Sequence, residues 1–455
     1  MMLMTKVSRL LLGVALLSVT PFAQAQTVNL QQAVEMSLAA DPRIKEREQL
    51  VEHARAMLEE AQGNKGFTLN ANLFLALAPA VSGGFYEGGA TSGTTPRTDG
   101  GSIHGLSDWT VLQFTLTKPL YTFGKIEHYS EAAQGNIDVK RGDVRVTRAN
   151  TIMDVKRAYF GYLTARDTRS LLEDVQTKVD STVKQTEQWL REENDQVKQS
   201  DLYALQASRG LLSKYLGQAR AIEKISLDGL KILTGVGMDG KLEVADGSLE
   251  PVPFPETSLT DYQSKAVSER PEMVQLEAGL RARRALVAAK KADMYPNIYA
   301  GVVGAAAYAS RRDRMNNPYI YDPFNSAGVT PVVGVKWDVA VDVVPARAAQ
   351  AQAELEALNY KNQFAQLGIP FEVSEAYVQM KMLFQAQQDL ATGAAAARRW
   401  MVASYADFNA GLEKADKVAD ALKTYATTQA EYLRTVNDYN MAVAQMNRVT
   451  GINNK

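Results

Sequence analysis

Residues 110–117 read Thr-Val-Leu-Gln-Phe-Thr-Leu-Thr, and residues 118–125 continue Lys-Pro-Leu-Tyr-Thr-Phe-Gly-Lys. Leu112, Phe114 and Leu116 alternate with Gln113, Thr115 and Thr117, the period of a strand with one apolar and one polar face. From Trp109 onward this strand turns, without a loop of any length, into a helix. No proline follows Pro119 as far as Leu190, and Leu172, Val175, Val179, Val183, Thr186 and Leu190 recur at threes and fours. At 1.5 Å per residue, some seventy helical residues span roughly 100 Å. No ordinary globular domain holds such a helix, so the sequence builds something long and thin.

Upstream, residues 28–62 read as a helical segment with Asn29 as its cap, passing Asp41-Pro42 and carrying Ile44, Val51, Ala54, Leu58 and Ala61 at helical spacing. Residues 67–77 alternate as a second strand, with Leu69, Ala71, Leu73, Leu75 and Leu77 opposed to Thr68, Asn70, Asn72, Phe74 and Ala76. Residues 79–105, rich in Gly, Ser and Thr, read as a long exposed loop. Downstream, residues 189–202 are a polar interruption where the chain turns back. A helix over 201–233 follows, with Leu202, Leu205, Leu212, Leu216 and Ala219 on one seam and Leu211, Tyr215, Ile222 and Ile225 on a neighbouring one. Thr234-Gly235 ends it, and residues 237–255 read as a connector.

The same order then starts again. Residues 259–271 match 30–42, ending in Arg270-Pro271 as those end in Asp41-Pro42, and Ile298, Ala300 and Val302 match Leu69, Ala71 and Leu73. Residues 311–327 give a second long loop. Val333, Val335, Trp337, Val339 and Val341 then alternate with Gly334, Lys336, Asp338, Ala340 and Asp342 as the fourth strand. Ala376-Tyr377 stands where Ala158-Tyr159 stood, residues 405–418 repeat the polar turn, and Thr450-Gly451 ends the last helix. The period of about 220 residues exceeds any solenoid repeat and marks a duplication. The expected organisation is 26–240 as first repeat, 241–258 as connector and 259–455 as second repeat, behind a signal segment at 1–25.

That signal segment carries Lys6 and Arg9, an apolar run over 10–19, Pro21 and the triplet Ala23-Gln24-Ala25, with cleavage expected before Gln26. Its apolar run is too short to span a bilayer, and no other segment approaches the ~20 apolar residues that a spanning helix needs. The chain contains no cysteine, which excludes disulfides, thiolate metal sites, cysteine nucleophiles and a lipidated N-terminal cysteine. A formal net charge of -1 over 455 residues gives no electrostatic reason to expect nucleic acid.

Four strands leave two open edges, and each unpaired edge group inside a bilayer costs several kcal/mol, so a sheet there must close. The smallest membrane barrels need about eight strands, so strands in a membrane require the chain to oligomerise. Phe67, Trp109 and Tyr121 in the first pair and Tyr295, Tyr308 and Trp337 in the second flank the strands as interface girdles would. On this reading Leu69, Leu73, Leu112, Phe114, Val335 and Trp337 face lipid, while Asn70, Asn72, Gln113, Lys336, Asp338 and Asp342 line water.

With signal, duplication, paired strands and long helices in hand, the sequence resembles the TolC-type outer-membrane efflux protein family. The likeness runs from about Val28 to the C-terminus. It rests on Lys-Pro-Leu-Tyr-Thr-Phe-Gly-Lys at 118–125, on residues 30–42 and their repeat, on Gly-Leu-Glu-Lys-Ala-Asp at 411–416 with Val418 and Asp420-Ala421, and on Thr-Gly helix ends at 234 and 450. The resemblance implies a homotrimer that is mainly α with membrane β: a twelve-stranded β-barrel, four strands from each protomer, continuous with a long α-helical barrel through the periplasm. It implies the passive exit duct of a tripartite efflux pump or type I secretion system, working with a periplasmic adaptor and an inner-membrane transporter. Two departures stand out. The second strand-helix junction, Val-Ala-Val-Asp-Val-Val-Pro at 339–345, lacks a glycine, and the first turn has Asp195 where the second has Gly411.

Nothing in the sequence has the form of a catalytic site. His53, His104 and His128 are isolated, with no partner at metal-ligand spacing, and no phosphate-binding glycine loop or nucleophile elbow occurs. No cofactor is expected. The turns carry Glu192, Glu193, Asp195 and Asp201 in the first and Asp407, Glu413, Asp416 and Asp420 in the second; each taken singly reads first as a solvated turn residue or helix cap, and together they are candidates for an acidic constriction. Val197, Leu202, Gly411, Leu412 and Val418 are candidates for adaptor docking. A soluble periplasmic coiled-coil scaffold or adaptor is the competing reading, and it leaves the apolar strand faces unexplained. Drugs, metal ions and polypeptides all stay open as cargo.

Overall fold

A capping box starts the first helix. Asn29 Oδ1 accepts from the Gln32 backbone N–H at 2.9 Å, and Gln32 Oε1 accepts from the Asn29 N–H at 3.0 Å. The computed structural model describes residues 26–82, 102–314 and 319–452, so the expected signal segment and most of the first long loop lie outside the described residues. Helix α1 (Leu30–Ala40) stops at Asp41, whose ψ of 115° is the extended geometry a following proline imposes, and Pro42 opens α2 (Pro42–Gly63). The single helix expected over 28–62 is therefore two.

Strands β2 (Thr68–Ser82) and β3 (Ser102–Tyr121) follow, then helices α3 (Lys125–Arg191) and α4 (Gln199–Leu233). The second half supplies α5 (Leu259–Glu269), α6 (Pro271–Ala292), β5 (Asn297–Ala309), β6 (Ser326–Lys336), α7 (Val343–Asn409) and α8 (Ala415–Thr450). Corresponding helices match in length, 11 with 11, 22 with 22, 67 with 67 and 35 with 36 residues. The expected connector holds one strand that sequence pattern missed: β4 (Leu242–Val244) pairs in parallel with β1 (Gln26–Val28). Three residues are too few to show a period.

The described residues form two compact units. One comprises those up to Asp41 with Asn150–Glu256 and Ala376–Met446; the other comprises Pro42–Ala149, Thr257–Glu375 and those from Asn447 on. Both 67-residue helices contribute to both.

In the first unit, one core gathers Leu172, Val175, Val179 and Val183 of α3, Leu205, Leu212 and Leu216 of α4, and Met401, Val418 and Leu422 of the α7–α8 hairpin. A second core surrounds Tyr159, Leu163, Leu230 and Val436. Tyr159 is fully buried, whereas Tyr377 at the matched position is only half-buried. The Tyr159 hydroxyl donates to Asp246 at 2.9 Å; burial first, then this bond, pushes its pKa above the ordinary tyrosine value. Asp41 accepts from the Thr151 hydroxyl at 2.6 Å.

In the second unit, α3 and α6 approach so closely that a Cβ at Gly135 would stand 2.7 Å from that of Ala282, and one at Gly142 would stand 2.8 Å from that of Gln275. Leu280 and Val287 of α6 pack on Ala351 and Leu355 of α7. Arg270, buried between α5 and α6, binds Glu372 at 2.5 Å and Glu272 at 3.1 Å. Burial alone would depress this guanidinium; the two carboxylates outweigh burial and hold its pKa above the usual value.

Candidate functional site

The second unit carries one antiparallel sheet in the order β2-β3-β5-β6, which leaves β2 and β6 as edges. Register fixes its faces, because directly paired residues point the same way. Leu69 pairs with Leu116 and Leu73 with Leu112, while Ala71 pairs with Phe114, Phe114 with Gly304 and Ile298 with Val335. Asn70 pairs with Thr115, Asn72 with Gln113, Gln113 with Ala305 and Asn297 with Lys336. Leu69, Leu73, Leu112, Phe114 and Val335 thus share one face, and Asn70, Asn72, Gln113 and Lys336 the other. Leu73 is 63% exposed and Val333 76%, an apolar face that no element among the described residues covers.

Three of the strand assignments fail. Strand β6 ends at Lys336, so Trp337, Asp338 and Asp342 lie in the segment leading to α7. The alternating pattern runs on to Val341, but its partner β5 begins at Asn297, and a strand without a neighbour has no ladder. The first loop is also shorter than expected, since β2 runs to Ser82 and β3 starts at Ser102.

At the strand-helix junction Tyr121 meets Phe123 edge-on at 4.7 Å, Phe123 stacks on Tyr295 at 5.2 Å, and Lys118 lies 5.1 Å over the Phe67 ring. Trp337 donates its indole N–H to the Met294 carbonyl at 3.1 Å. Tyr121, Tyr295 and Trp337 thus gather at the end of the sheet where the strands pass into helices. Trp109 pairs with Ala76 and Ala309, points to the polar face and packs against Phe324 at 5.0 Å. The first junction takes three residues and places Phe123 and Gly124 at φ of 53° and 79°. The second, without glycine, uses six residues, 337–342, and no left-handed backbone.

The two turns are built alike. In the first, Glu193 N–H donates to Leu190 O and Asn194 N–H to Trp189 O; in the second, Gly411 N–H donates to Phe408 O and Leu412 N–H to Asp407 O. Both are Schellman closures, with the left-handed residue at Glu193 (φ 49°) and Gly411 (φ 73°). The counterpart of Gly411 is therefore Glu193, not Asp195. Trp189 packs on Phe408 at 4.8 Å beneath the turns.

The tip candidates divide accordingly. Val197, Leu202 and Val418 are buried in the core that ties the hairpins together, so their side chains are not available to a partner, while Leu412 is 78% exposed beside Gly411. Asp201 caps α4 by accepting from the Lys198 N–H at 2.9 Å, and Asp416, in the first turn of α8, accepts from the Lys417 N–H at 2.8 Å. Glu413 accepts from Ser404, and Glu192 from Gln188. Glu193, Asp195, Asp407 and Asp420 are exposed.

Helices α4 and α7 bear apolar stripes that nothing among the described residues covers. On α4, Leu211, Tyr215, Ile222, Ile225 and Ile232 are exposed at heptad-like spacing; on α7, Tyr360, Phe364, Leu367, Phe371, Val378 and Met382 are. Sequence reading singled out the first stripe and missed the second, although Tyr360, Phe364, Leu367 and Phe371 repeat at four, three and four. No described helix is long and apolar enough to cross a membrane.

This fold is that of outer-membrane channels. A membrane protein of Pseudomonas aeruginosa superposes with a TM-score of 0.74 at 15% identity, covering 93% of each chain. CusC gives 0.73 at 16% identity with 95% of each chain covered, and the open state of the MtrE outer membrane channel of Neisseria gonorrhoeae gives 0.72 at 15%, covering 93% of this chain and 89% of that one. Residues 263–452 match the family model described as outer membrane efflux protein. No curated protein matches the chain.

Proposed function

We propose that this protein is the outer-membrane exit duct of an efflux pump or type I secretion system, a passive channel rather than an enzyme. One observation carries the reading: among the described residues, an open four-stranded sheet presents an uncovered apolar face, and its edge strands β2 and β6 have no outer strand neighbour, save where Val81 at the end of β2 bridges to Arg312. Three copies joined edge to edge make twelve strands and leave no edge, with Leu69, Leu73, Leu112, Phe114 and Val335 toward lipid and Asn70, Asn72, Gln113 and Lys336 toward water. The apolar stripes of α4 and α7 support the same assembly, because neighbouring protomers would cover them. A soluble scaffold would leave both sheet face and stripes in water.

The chain reaches the outer membrane through a cleaved signal and, lacking cysteine, without a lipid anchor. A periplasmic adaptor meets the turns at Gly411 and Leu412, and an inner-membrane transporter supplies the energy. Asp407, Asp195 and Asp420 are the residues free to form an acidic ring at the inner end, since Asp201 and Asp416 already serve helix starts. In planar bilayers Asp407→Asn should lower cation preference; unchanged ion selectivity removes that residue from the ring.

Fractionation tests the reading as a whole. The protein should stay with outer membranes through a urea wash and come off only in detergent. Release by urea alone, as a soluble species, would favour the scaffold instead.

A further inference from the structure

Charge is sparse on the four strands of the sheet. β2 and β5 carry no charged residue, β3 carries Asp108 and Lys118 besides His104, and β6 carries Lys336. His104 falls outside the paired positions. Register divides the others between the faces. Asp108 pairs with Leu77 and Lys118 with Ala300, so both stand on the apolar face with Leu73, Leu112 and Phe114. Lys336 pairs with Asn297, on the face of Asn72 and Gln113. Among the described residues of the paired ladder, Lys336 is thus the one charged side chain on the polar face.

Nothing within the sheet neutralises it. Gly334 and Val332, the next positions of β6 on this face, and Tyr299 and Gly301, which pair with them, are uncharged. Asp338 lies past the last paired residue and reaches Lys336 at 3.9 Å, with side chains 79% and 67% exposed, so water screens the pair and its geometry is loosely held. A lysine on an edge strand ordinarily keeps other strands away. Once the barrel closes, that edge is paired and there is nothing to guard, yet the charge then stands three times at one level.

We propose that three copies of Lys336 form a ring of ammonium groups in the lumen of the β-barrel, which favours anionic solutes over cations at that level. The inference rests on the three-chain barrel proposed above. Low-dielectric walls focus the field of such a ring into the water between them. With a Debye length of about 30 Å at 0.01 M salt the ring acts across the whole opening, and at about 3 Å in 1 M salt it does not.

Planar bilayers with a potassium chloride gradient read the ring as a reversal potential. At low salt, Lys336→Gln should lower the chloride-to-potassium permeability ratio about two- to five-fold, the effect of losing about one kT of potential or less, acting oppositely on the two ions. Lys336→Arg should keep the native ratio, and in molar salt the difference should vanish. The side chain is 67% exposed, so its replacement removes little packing. Because the chain has no cysteine, Lys336→Cys allows rescue in place. An aminoethyl thiosulfonate, which restores a positive charge, should return the native ratio, and a sulfonatoethyl one should move it further toward cations. Equal reversal potentials for the native, Gln and Cys channels, unmoved by either reagent, would overturn the ring and leave the channel standing. A native protein that forms no conducting pore would overturn the channel reading itself, and the ring with it.

Discussion

Glu193 and Gly411 occupy one backbone position in two copies of a turn, and only one of them suits it. A left-handed conformation costs a residue with a Cβ about 1–2 kcal/mol, part of which glycine returns through its freer unfolded state. Glu193→Gly should therefore raise stability by about 0.5–1 kcal/mol, and Gly411→Ala should lower it by about 1 kcal/mol, both read from denaturant unfolding. A like sign for both would contradict the common turn geometry. Tyr159 supplies a pH test. The unfolded phenol ionises near its ordinary value of about 10, the folded one only above that, so the stability it contributes is intact below the unfolded value and lost as pH rises through the window above it. Tyr159→Phe should flatten this alkaline limb. At this scale the sequence was partly legible: that a turn lay at each place was plain from polar runs, but aligning Asp195 with Gly411 missed the register by two. Spacing alone does not count the residues that close a helix. The docking candidates Val197, Leu202 and Val418 failed for a related reason, since an apolar residue at a turn can point inward as readily as outward.

Among elements, the long helix α3 was the most legible, because a proline-free stretch with apolar residues at threes and fours over that length admits no other structure. The break at Asp41 was passed over, since residues 28–62 read as one helix, although a following proline holds both Asp41 and Arg270 in extended backbone. Strand ends were not legible either. The alternation of Val333 to Val341 continues past the last residue of β5 able to pair with it, and pairing, not pattern, ends a strand. Pro79 and Pro331 sit in β2 and β6, tolerable because both are edges of the sheet. The seating of Phe324 on Trp109 and of Asn325 on Ala309 was illegible for another reason: it joins residues distant in sequence, which no local signal records. The approach of α3 to α6 gives a prediction of its own. Gly135→Val places branched bulk where even one Cβ lacks room against Ala282, and should cost about 1–3 kcal/mol in thermal or denaturant unfolding. Gly210→Ala, at a helical position with open space around it, should stabilise α4 slightly, by up to about 1 kcal/mol. Equal effects at the two glycines would mean that α3 and α6 do not pack at this distance.

For the whole molecule, the same deficiency recurs in two places. Among the described residues, the edge strands β2 and β6 have no strand on their outer sides, and α4 and α7 lack cover along their exposed stripes. Each would be a liability in a monomer, as an aggregating edge or as apolar surface in water, and each disappears when copies close around an axis. The most direct measurement is therefore the mass of the protein extracted from outer membranes in mild detergent, corrected for bound detergent. Three chains per particle, found in the membrane fraction, is the predicted result. A monomer that stays soluble without detergent would contradict the account, because its four strands would then have to manage their edges alone.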